Sequence, residues 1–165
     1  EHDISLSLPP LQIKLRVDRI DRLPDGSALI VDYKSGRSKV SDWLGDRPAK
    51  PQLLLYGIAS AKNTDAQQVS ALAFAQVRAG DCAYIGAGSQ EAAPGIRTDI
   101  AKLVGDKHNA DDWGSLNEVW QLILENLVAD FAAGEAAVDP RASGSCDYCG
   151  LQSLCRIGDA ADLAV

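Results

Sequence analysis

Alternation of apolar and polar residues marks the first part of the chain. Residues 11–22 begin with strict alternation, which is typical of a strand with one buried face. A turn signal follows at Pro24-Asp25-Gly26, and residues 28–31 then form a continuously apolar run that leads into Asp32-Tyr33-Lys34. The two segments are therefore predicted to form a β-hairpin.

Helical spacing and further strands follow the hairpin. Residues 51–62 and 111–133 carry apolar residues three and four positions apart, which predicts a short helix and a long one. Residues 69–77 predict a buried strand and residues 83–85 a short one, whereas the pattern of residues 96–104 is ambiguous. A hairpin, a helix, a further strand and a long covering helix together indicate a mixed α/β core.

The composition is that of an ordinary globular domain. The chain has 165 residues, of which 46% are hydrophobic and 24% are charged. No apolar run approaches the roughly 18 residues that a membrane helix needs. The first residues, Glu1-His2-Asp3, lack the basic and apolar regions of a signal peptide. These features predict a cytoplasmic protein without a membrane partner.

The net charge of −7 argues against general affinity for nucleic acid, but the charge is unevenly distributed. Residues 1–50 hold nine Lys and Arg against eight Asp and Glu, while residues 51–165 hold seven against fifteen. The N-terminal third is therefore the candidate for contact with phosphates. Arg16, Arg19 and Arg22 are equally consistent with a solvated strand face.

Carboxylates at two strand ends are the candidate chemical feature. Asp18 and Asp32 lie on neighbouring predicted strands, and their hard oxygen ligands suit one shared Mg²⁺ or Mn²⁺. Such a metal polarises a phosphoryl oxygen and lowers the pKa of a bound water. Lys34 shares a strand face with Asp32 and can stabilise charge on a phosphate, while the Tyr33 carbonyl offers another oxygen ligand. On spacing alone, such residues are more often solvated charges or ion pairs.

Two polar residues on the predicted short helix strengthen the case for a site. Gln52 and Tyr56 are four positions apart, so they share one helix face and their polar tips can reach the same neighbouring site. The alternative is a helix stripe with one exposed amide and one half-buried phenol.

Several motifs in order resemble a known family. The pattern is similar to the nuclease module of RecB and AddB proteins in the PD-(D/E)XK superfamily, and especially to the bacterial "probable DNA repair protein" group of inactivated superfamily I helicases. The resemblance covers residues 11–62 and 128–157. The motifs that carry it are Leu15-Arg16-Val17-Asp18-Arg19-Ile20-Asp21-Arg22, Asp25-Gly26, Val31-Asp32-Tyr33-Lys34-Ser35-Gly36, Trp43-x-Gly45-x-Arg47-Pro48, Pro51-Gln52-Leu53-Leu54-Leu55-Tyr56 and Cys146-x2-Cys149-x5-Cys155.

The resemblance implies a fold and an activity. It implies an α/β, restriction-endonuclease-like mixed sheet flanked by helices, with a nuclease core over residues 1–140 and a cysteine-rich tail over residues 141–165. The implied activity is metal-dependent DNA hydrolysis by an exonuclease in DNA repair or end processing. One alternative is a non-catalytic module that binds DNA or a helicase partner, and another is a metal-cluster scaffold with no role on DNA.

The resemblance also implies roles for individual residues. Asp18 and Asp32 would be metal ligands together with Tyr33, and Lys34 would be the catalytic lysine. Gln52 and Tyr56 would form an accessory motif. The site would then be lined by five side chains, those of Asp18, Asp32, Lys34, Gln52 and Tyr56. Asp21 competes with Asp18, but Asp18 takes the first acidic place in the motif.

Three cysteines near the end of the chain suggest metal binding rather than disulfides. In AddB-like relatives one upstream cysteine and three terminal ones hold a [4Fe–4S] cluster, and Cys146, Cys149 and Cys155 match the terminal three. Zinc is the alternative, in which case the tail is held by the metal; otherwise Leu151 and Leu154 are expected to pack locally. Cys82 is either a fourth ligand or, more simply, a small buried thiol.

Two features of the family are missing. An upstream helix with a His or Glu and an upstream cysteine have no counterpart here, so the fragment is expected to start within the nuclease domain. The fragment by itself is therefore expected to lack an intact cluster and to cut DNA weakly or not at all. His2 and His108 lack the family context and are expected to be surface residues.

Overall fold

The computed structural model describes residues 1–62, 68–141 and 143–156. The chain divides into two compact units, residues 1–129 and residues 130–165. In the described part, the strands are β1 (His2–Leu8), β2 (Leu11–Val17), β3 (Arg19–Arg22), β4 (Ala28–Lys34), β5 (Val69–Arg78), β6 (Asp81–Gly88) and β7 (Ile96–Arg97). The helices are α1 (Gln52–Lys62), α2 (Ile100–Val104), α3 (Trp113–Ala132) and α4 (Gln152–Cys155).

The first unit is built on a mixed sheet of five strands in the order β3-β4-β5-β6-β7. Strands β4 and β5 are parallel, and α1 lies between them in the chain, whereas β3 with β4 and β5 with β6 are antiparallel. This arrangement confirms the predicted mixed α/β sheet flanked by helices. No helix of the described residues is both long and apolar enough to cross a membrane.

The predicted hairpin is correct only for its second half. Residues 11–22 do not form one strand, because the chain bends at Asp18 and separates β2 from β3. Strand β3 pairs with β4 around Gly26, whose φ of 84° suits the turn. Strand β2 pairs instead with β1 in a two-stranded sheet, and this pairing buries Leu6 and Leu8. The alternation of residues 4–8 could have predicted β1.

Successive side chains of β4 point to opposite faces of the sheet. Ile30 joins the large core cluster with residues of α1 and α3, while Leu29 and Val31 join a smaller cluster on the other face. Strand β5 divides in the same way, since Leu72 and Phe74 lie in the large cluster and its alanines in the small one. Side chains of a strand alternate between faces, so Asp32 and Lys34 follow Ile30 onto the α1 face.

Aromatic side chains form the centre of the large cluster. The Trp43 ring lies 5.2 Å from Phe74 and 6.1 Å from Trp120, and Trp113 lies 5.6 Å from Trp120, all between ring centroids. Trp113 also donates a hydrogen bond to the Val69 carbonyl at 2.9 Å. These contacts join the predicted long helix, observed as α3, to the start of β5 and to the loop before α1.

The second unit contains the cysteine segment. The Cys149 amide donates to the Cys146 carbonyl at 3.2 Å, and the Cys155 amide donates to the Leu151 carbonyl at 3.0 Å. The side chains of Leu151 and Leu154 are 59% and 78% exposed, so the expected local packing of these leucines is wrong. Short turns rather than an apolar core shape this segment.

Candidate active site

Asp32 lies near the end of β4 with only 1% of its side chain exposed. It follows a run of four buried residues on this strand and is paired with Phe74 of β5. Parallel pairing with β5 and coverage by α1 place this carboxylate at the edge of the large cluster, where an unpaired acid is rarely tolerated. Its neighbours therefore decide how the charge is stabilised.

Lys34 is the direct partner of Asp32. Its Nζ lies 2.6 Å from Oδ2 of Asp32, and 28% of the lysine side chain is exposed. The same ammonium donates a hydrogen bond to Oε1 of Gln52 at 2.9 Å, and Nε2 of Gln52 donates to the Tyr56 hydroxyl at 2.5 Å. One chain of polar contacts thus runs from α1 to the end of β4.

Asp18 reaches the same place from the bend between β2 and β3. Its Oδ2 accepts a hydrogen bond from the backbone amide of Tyr33 at 3.0 Å, directly between Asp32 and Lys34 in the chain. Asp21 instead forms an ion pair with Arg19 at 2.6 Å. Of the two competing acids, the structure therefore brings Asp18 to the polar group. This group, here called the cluster, consists of Asp18, Asp32, Lys34, Gln52 and Tyr56.

The pKa values of two groups reflect how close these side chains are. Burial raises the pKa of Asp32 above its usual range, the Lys34 ammonium opposes this, and the charge of Asp18 adds to the increase. Burial likewise raises the pKa of the Tyr56 hydroxyl; the hydrogen bond from Gln52 acts against this, and the charges of Asp32 and Asp18 add to it. The charged groups of the cluster are thus the two carboxylates Asp18 and Asp32 and the single ammonium of Lys34.

The donor set fits a hard divalent cation. Oδ2 of Asp32 is buried, and among the described residues it accepts no well-directed hydrogen bond, although the Lys34 ammonium approaches it as an ion pair. A second carboxylate, that of Asp18, lies nearby. Carboxylate oxygens with an unsatisfied lone pair are what Mg²⁺ and Mn²⁺ prefer.

The Tyr33 side chain lies apart from this cluster. It points to the opposite face of the sheet, where its hydroxyl accepts a hydrogen bond from Arg19 at 3.2 Å and 48% of the residue is exposed. Only its backbone belongs to the candidate site, as the expected carbonyl ligand requires.

Phe74 and Lys50 lie near the site and were not anticipated from the sequence. The ammonium groups of Lys34 and Lys50 lie 5.8 and 5.6 Å from the centroid of the same Phe74 ring. Phe74 looks like an ordinary apolar residue of a buried strand, and Lys50 like a loop charge. Their proximity depends on the pairing of β4 with β5, which no local pattern reveals.

His108 is also more than a surface residue. It is only partly exposed, and its Nε2 accepts a hydrogen bond from the backbone amide of Gly45 at 2.9 Å. Gly45 has a φ of 88°, which favours glycine at that turn. The histidine therefore holds the loop that precedes α1.

The cysteines do not form a ready-made metal site. No group of three or more His, Cys, Asp or Glu side chains in residues 1–62, 68–141 and 143–156 is arranged to hold a metal ion. Cys146, Cys149 and Cys155 are half-buried. Cys82 is exposed on β6, where its Sγ donates to the Arg78 carbonyl at 3.3 Å, so the expectation of a buried thiol is wrong.

The fold and the cluster define a class of protein. A mixed sheet with helices on its flank, carrying Asp-x-Lys at the end of one strand and an acid at the bend before the neighbouring strand, has the restriction-endonuclease-like arrangement. The family model of the PD-(D/E)XK nuclease superfamily matches residues 1–156, and the chain belongs to this superfamily. Its members are generally nucleases that use Mg²⁺ or a similar metal. No curated protein and no solved structure matches the chain.

Proposed function

We propose that this protein is a metal-dependent DNA nuclease, an exonuclease of the RecB and AddB type that acts in DNA repair or end processing. The observation that carries the proposal is the buried Asp32 carboxylate, held by Lys34 on the face of the sheet that Asp18 also reaches. A buried acid with a raised pKa beside a lysine is costly for a purely structural role, and such groups concentrate at functional sites.

In this proposal Asp18 and Asp32 hold Mg²⁺ or Mn²⁺, and the Tyr33 carbonyl is a further ligand. When bound, the metal supplies Lewis-acid catalysis at the phosphate and lowers the pKa of the attacking water. Among the described residues, the Lys34 ammonium at 2.6 Å is the one donor group beside the buried Oδ2 of Asp32, so the Asp32 carboxylate keeps acceptor capacity for a metal.

Lys34 acts on the substrate itself in this scheme. Its ammonium is held at Oδ2 of Asp32 and at Oε1 of Gln52, which leaves donor capacity for an attacking water or a phosphate oxygen. Gln52 orients the ammonium, and Tyr56 in turn fixes the Gln52 amide. The two residues of α1 are therefore positioning residues.

The first test is substitution of the buried acid. We expect Asp32→Asn to lower hydrolysis of linear DNA in Mg²⁺ by at least about 100-fold, because a metal ligand is lost while the shape is kept. Asp21→Asn is the matched control, since Asp21 pairs with Arg19 outside the cluster, and it should keep its activity.

The measurement is release of nucleotides from end-labelled DNA, with and without EDTA, on variants whose circular dichroism matches that of the original chain. Equal activity of Asp32→Asn and the original chain, or activity that survives EDTA, would refute the proposal.

The second candidate function is a non-catalytic nuclease-fold module that binds DNA or a helicase subunit. It is favoured by the small number of ligands, because the described residues bring no third acid or histidine into a metal-holding group with Asp18 and Asp32. Binding of DNA without hydrolysis in either Mg²⁺ or Mn²⁺ would support this candidate over the first.

The cysteine segment takes no part in the proposed reaction. The proposed iron–sulfur cluster, with zinc as its alternative, rests on the spacing of Cys146, Cys149 and Cys155 and on the resemblance to AddB-like proteins. Clustered thiols suit a reducing compartment, where disulfides are rare, so the proposal places the protein in the cytoplasm. Metal analysis of the purified protein distinguishes iron from zinc.

A further inference from the structure

The positive charge of this acidic chain is concentrated in one segment. Residues 34–50, here called the basic segment, hold five cations against the two acids Asp42 and Asp46, in a chain with a net charge of −7. Its cations are Lys34, Arg37, Lys39, Arg47 and Lys50. A local reversal of sign in an acidic protein is the electrostatic pattern of an anion-binding surface.

Two arginines elsewhere in the N-terminal third, Arg16 and Arg19, are paired with acids. Arg16 forms ion pairs with Glu1 and Asp3 at 3.5 and 3.2 Å, and Arg19 pairs with Asp21 at 2.6 Å. These contacts favour the solvated strand face that the sequence allowed for both residues. Within the basic segment, Lys34 and Lys50 are likewise paired, with Asp32 at 2.6 Å and Asp42 at 3.0 Å, so Arg37 and Lys39 are the segment's candidates for phosphate contact.

The basic segment is held in a defined shape by its own core residues. Trp43 is fully buried, and Val40 and Leu44 are each only 5% exposed. Lys50 closes the segment, since its Nζ donates to the Arg37 carbonyl at 3.0 Å and to the Ser38 hydroxyl at 3.1 Å. A binding surface that is ordered beforehand loses less entropy when its partner binds.

Two cations of the segment are directed to solvent by this packing. Arg37 and Lys39 are exposed, whereas Ser38 and Val40, which alternate with them in the chain, are each only 5% exposed. Lys39 has an extended backbone, with φ of −137° and ψ of 147°. Alternate residues of extended chain lie on one side, so both cations share the outer side of the segment.

The segment also brackets the candidate active site. It begins at Lys34, the partner of Asp32, and ends at Lys50, two residues before Gln52. Lys34 and Lys50 lie at the two ends of the segment, yet both approach the same Phe74 ring. Both ends of the basic segment therefore lie beside residues of the candidate site.

We propose that the basic segment is the surface that binds the DNA backbone, with Arg37 and Lys39 each contacting a phosphate. This inference deepens the proposed function, on which it rests, by naming how the substrate is held. Phosphate contacts position a nucleic acid without reading its bases, so the surface binds DNA irrespective of sequence.

The test is the salt dependence of DNA binding. Fluorescence anisotropy of a labelled linear duplex in EDTA measures the affinity at several salt concentrations, without hydrolysis. Each phosphate contact contributes about −0.9 to the slope of log K against log salt for duplex DNA, so Arg37→Gln/Lys39→Gln should make the slope less steep by about 1.8.

A matched control removes the same charge elsewhere. Arg97 and Lys102 are exposed, and Arg97 lies on β7 at the far edge of the sheet from β3. Arg97→Gln/Lys102→Gln should leave the slope unchanged. An unchanged slope in Arg37→Gln/Lys39→Gln, or an equal change in both double variants, would overturn the inference.

The Asp32→Asn variant separates this inference from the proposed function. If the basic segment binds DNA but the protein does not hydrolyse it, the slope changes in Arg37→Gln/Lys39→Gln while neither the original chain nor Asp32→Asn cuts DNA. If the protein is a nuclease that binds DNA elsewhere, Asp32→Asn loses activity and the slope stays constant in Arg37→Gln/Lys39→Gln.

Discussion

Asp32 occupies a position that is costly for the stability of the fold. Asp32 is 1% exposed, and a carboxylate that is removed from water needs a partner. Lys34 supplies the charge at 2.6 Å, but Oδ2 accepts no other contact from a donor among the described residues. Residues that break local rules of stability are expected at functional sites.

His108 gives a second residue-scale effect, which depends on pH. Burial lowers the pKa of His108 below its ordinary value of 6.5; the charge of Asp46 opposes this and that of Lys107 adds to it. Its Nε2 can accept from Gly45 only when it carries no proton. The folded state thus binds fewer protons here than the unfolded state. This contribution to stability is complete above about pH 6.5 and is lost as pH falls towards the lowered pKa.

We therefore expect His108→Gln to flatten the acid side of the stability curve. The measurement is urea unfolding of both proteins between pH 7.5 and 5 (roughly one unit either side of the ordinary histidine pKa). The difference between the two free energies of unfolding should be largest near pH 7.5 and shrink as the pH falls. A pH-independent difference would show that protonation of His108 does not affect the fold.

At the scale of elements, close strand contacts decide the geometry of the sheet. Gly86 on β6 pairs with Ala73 on β5, and a Cβ at Gly86 would lie 2.3 Å from the Leu72 carbonyl oxygen and 2.6 Å from Ile96 Cδ1. The backbone of β5 cannot move away, because β4 pairs with its other edge. Gly86 thus allows β5 and β6 to approach while Ile96 covers them.

We expect Gly86→Ala to destabilise the fold by about 1–3 kcal/mol through overpacking. Gly36→Ala is the control, since nothing lies within 4 Å of the added Cβ and the change should stay within about 0.5 kcal/mol. Chemical denaturation of the two variants measures both effects. Similar stability of the two variants would contradict the close contact at Gly86.

At the scale of the whole molecule, the candidate site belongs to one unit. Both hydrophobic clusters consist of residues up to Val128, and the site residues lie between Asp18 and Tyr56. The second unit, residues 130–165, contains the cysteine segment. The first unit therefore has a core of its own and all the side chains proposed for catalysis.

A chain ending at Ala132 keeps α3 whole and tests this independence. We expect it to unfold cooperatively, with a melting temperature within a few degrees of the full chain, because no residue of either described core cluster is removed. Thermal circular dichroism is the measurement, and the salt slope of DNA binding should also be retained. Loss of cooperative unfolding would instead show that the cysteine segment is required to hold the fold together.

Sequence alone determined the local structure and the motif residues. Alternation predicted a strand over residues 11–22 that contains β2, continuous apolar runs predicted β4 and β5, and helical spacing predicted α1 and α3, because a period of two or 3.6 follows directly from backbone geometry. The order of motifs predicted the superfamily and named Asp18, Asp32 and Lys34. A run of alternating residues cannot show where pairing changes, so the break at Asp18 and the pairing of β2 with β1 were missed.

Only the tertiary structure decided which of these residues meet. The contact of Asp18 with the Tyr33 amide, the two lysines around Phe74 and the hydrogen bond of His108 to Gly45 join residues from 15 to 63 positions apart. Such contacts arise from strand pairing and loop packing over long separations, which leave no periodic trace in the sequence. The charge pattern of residues 34–50 was present in the sequence, but its outward display depends on the burial of Trp43 and Val40.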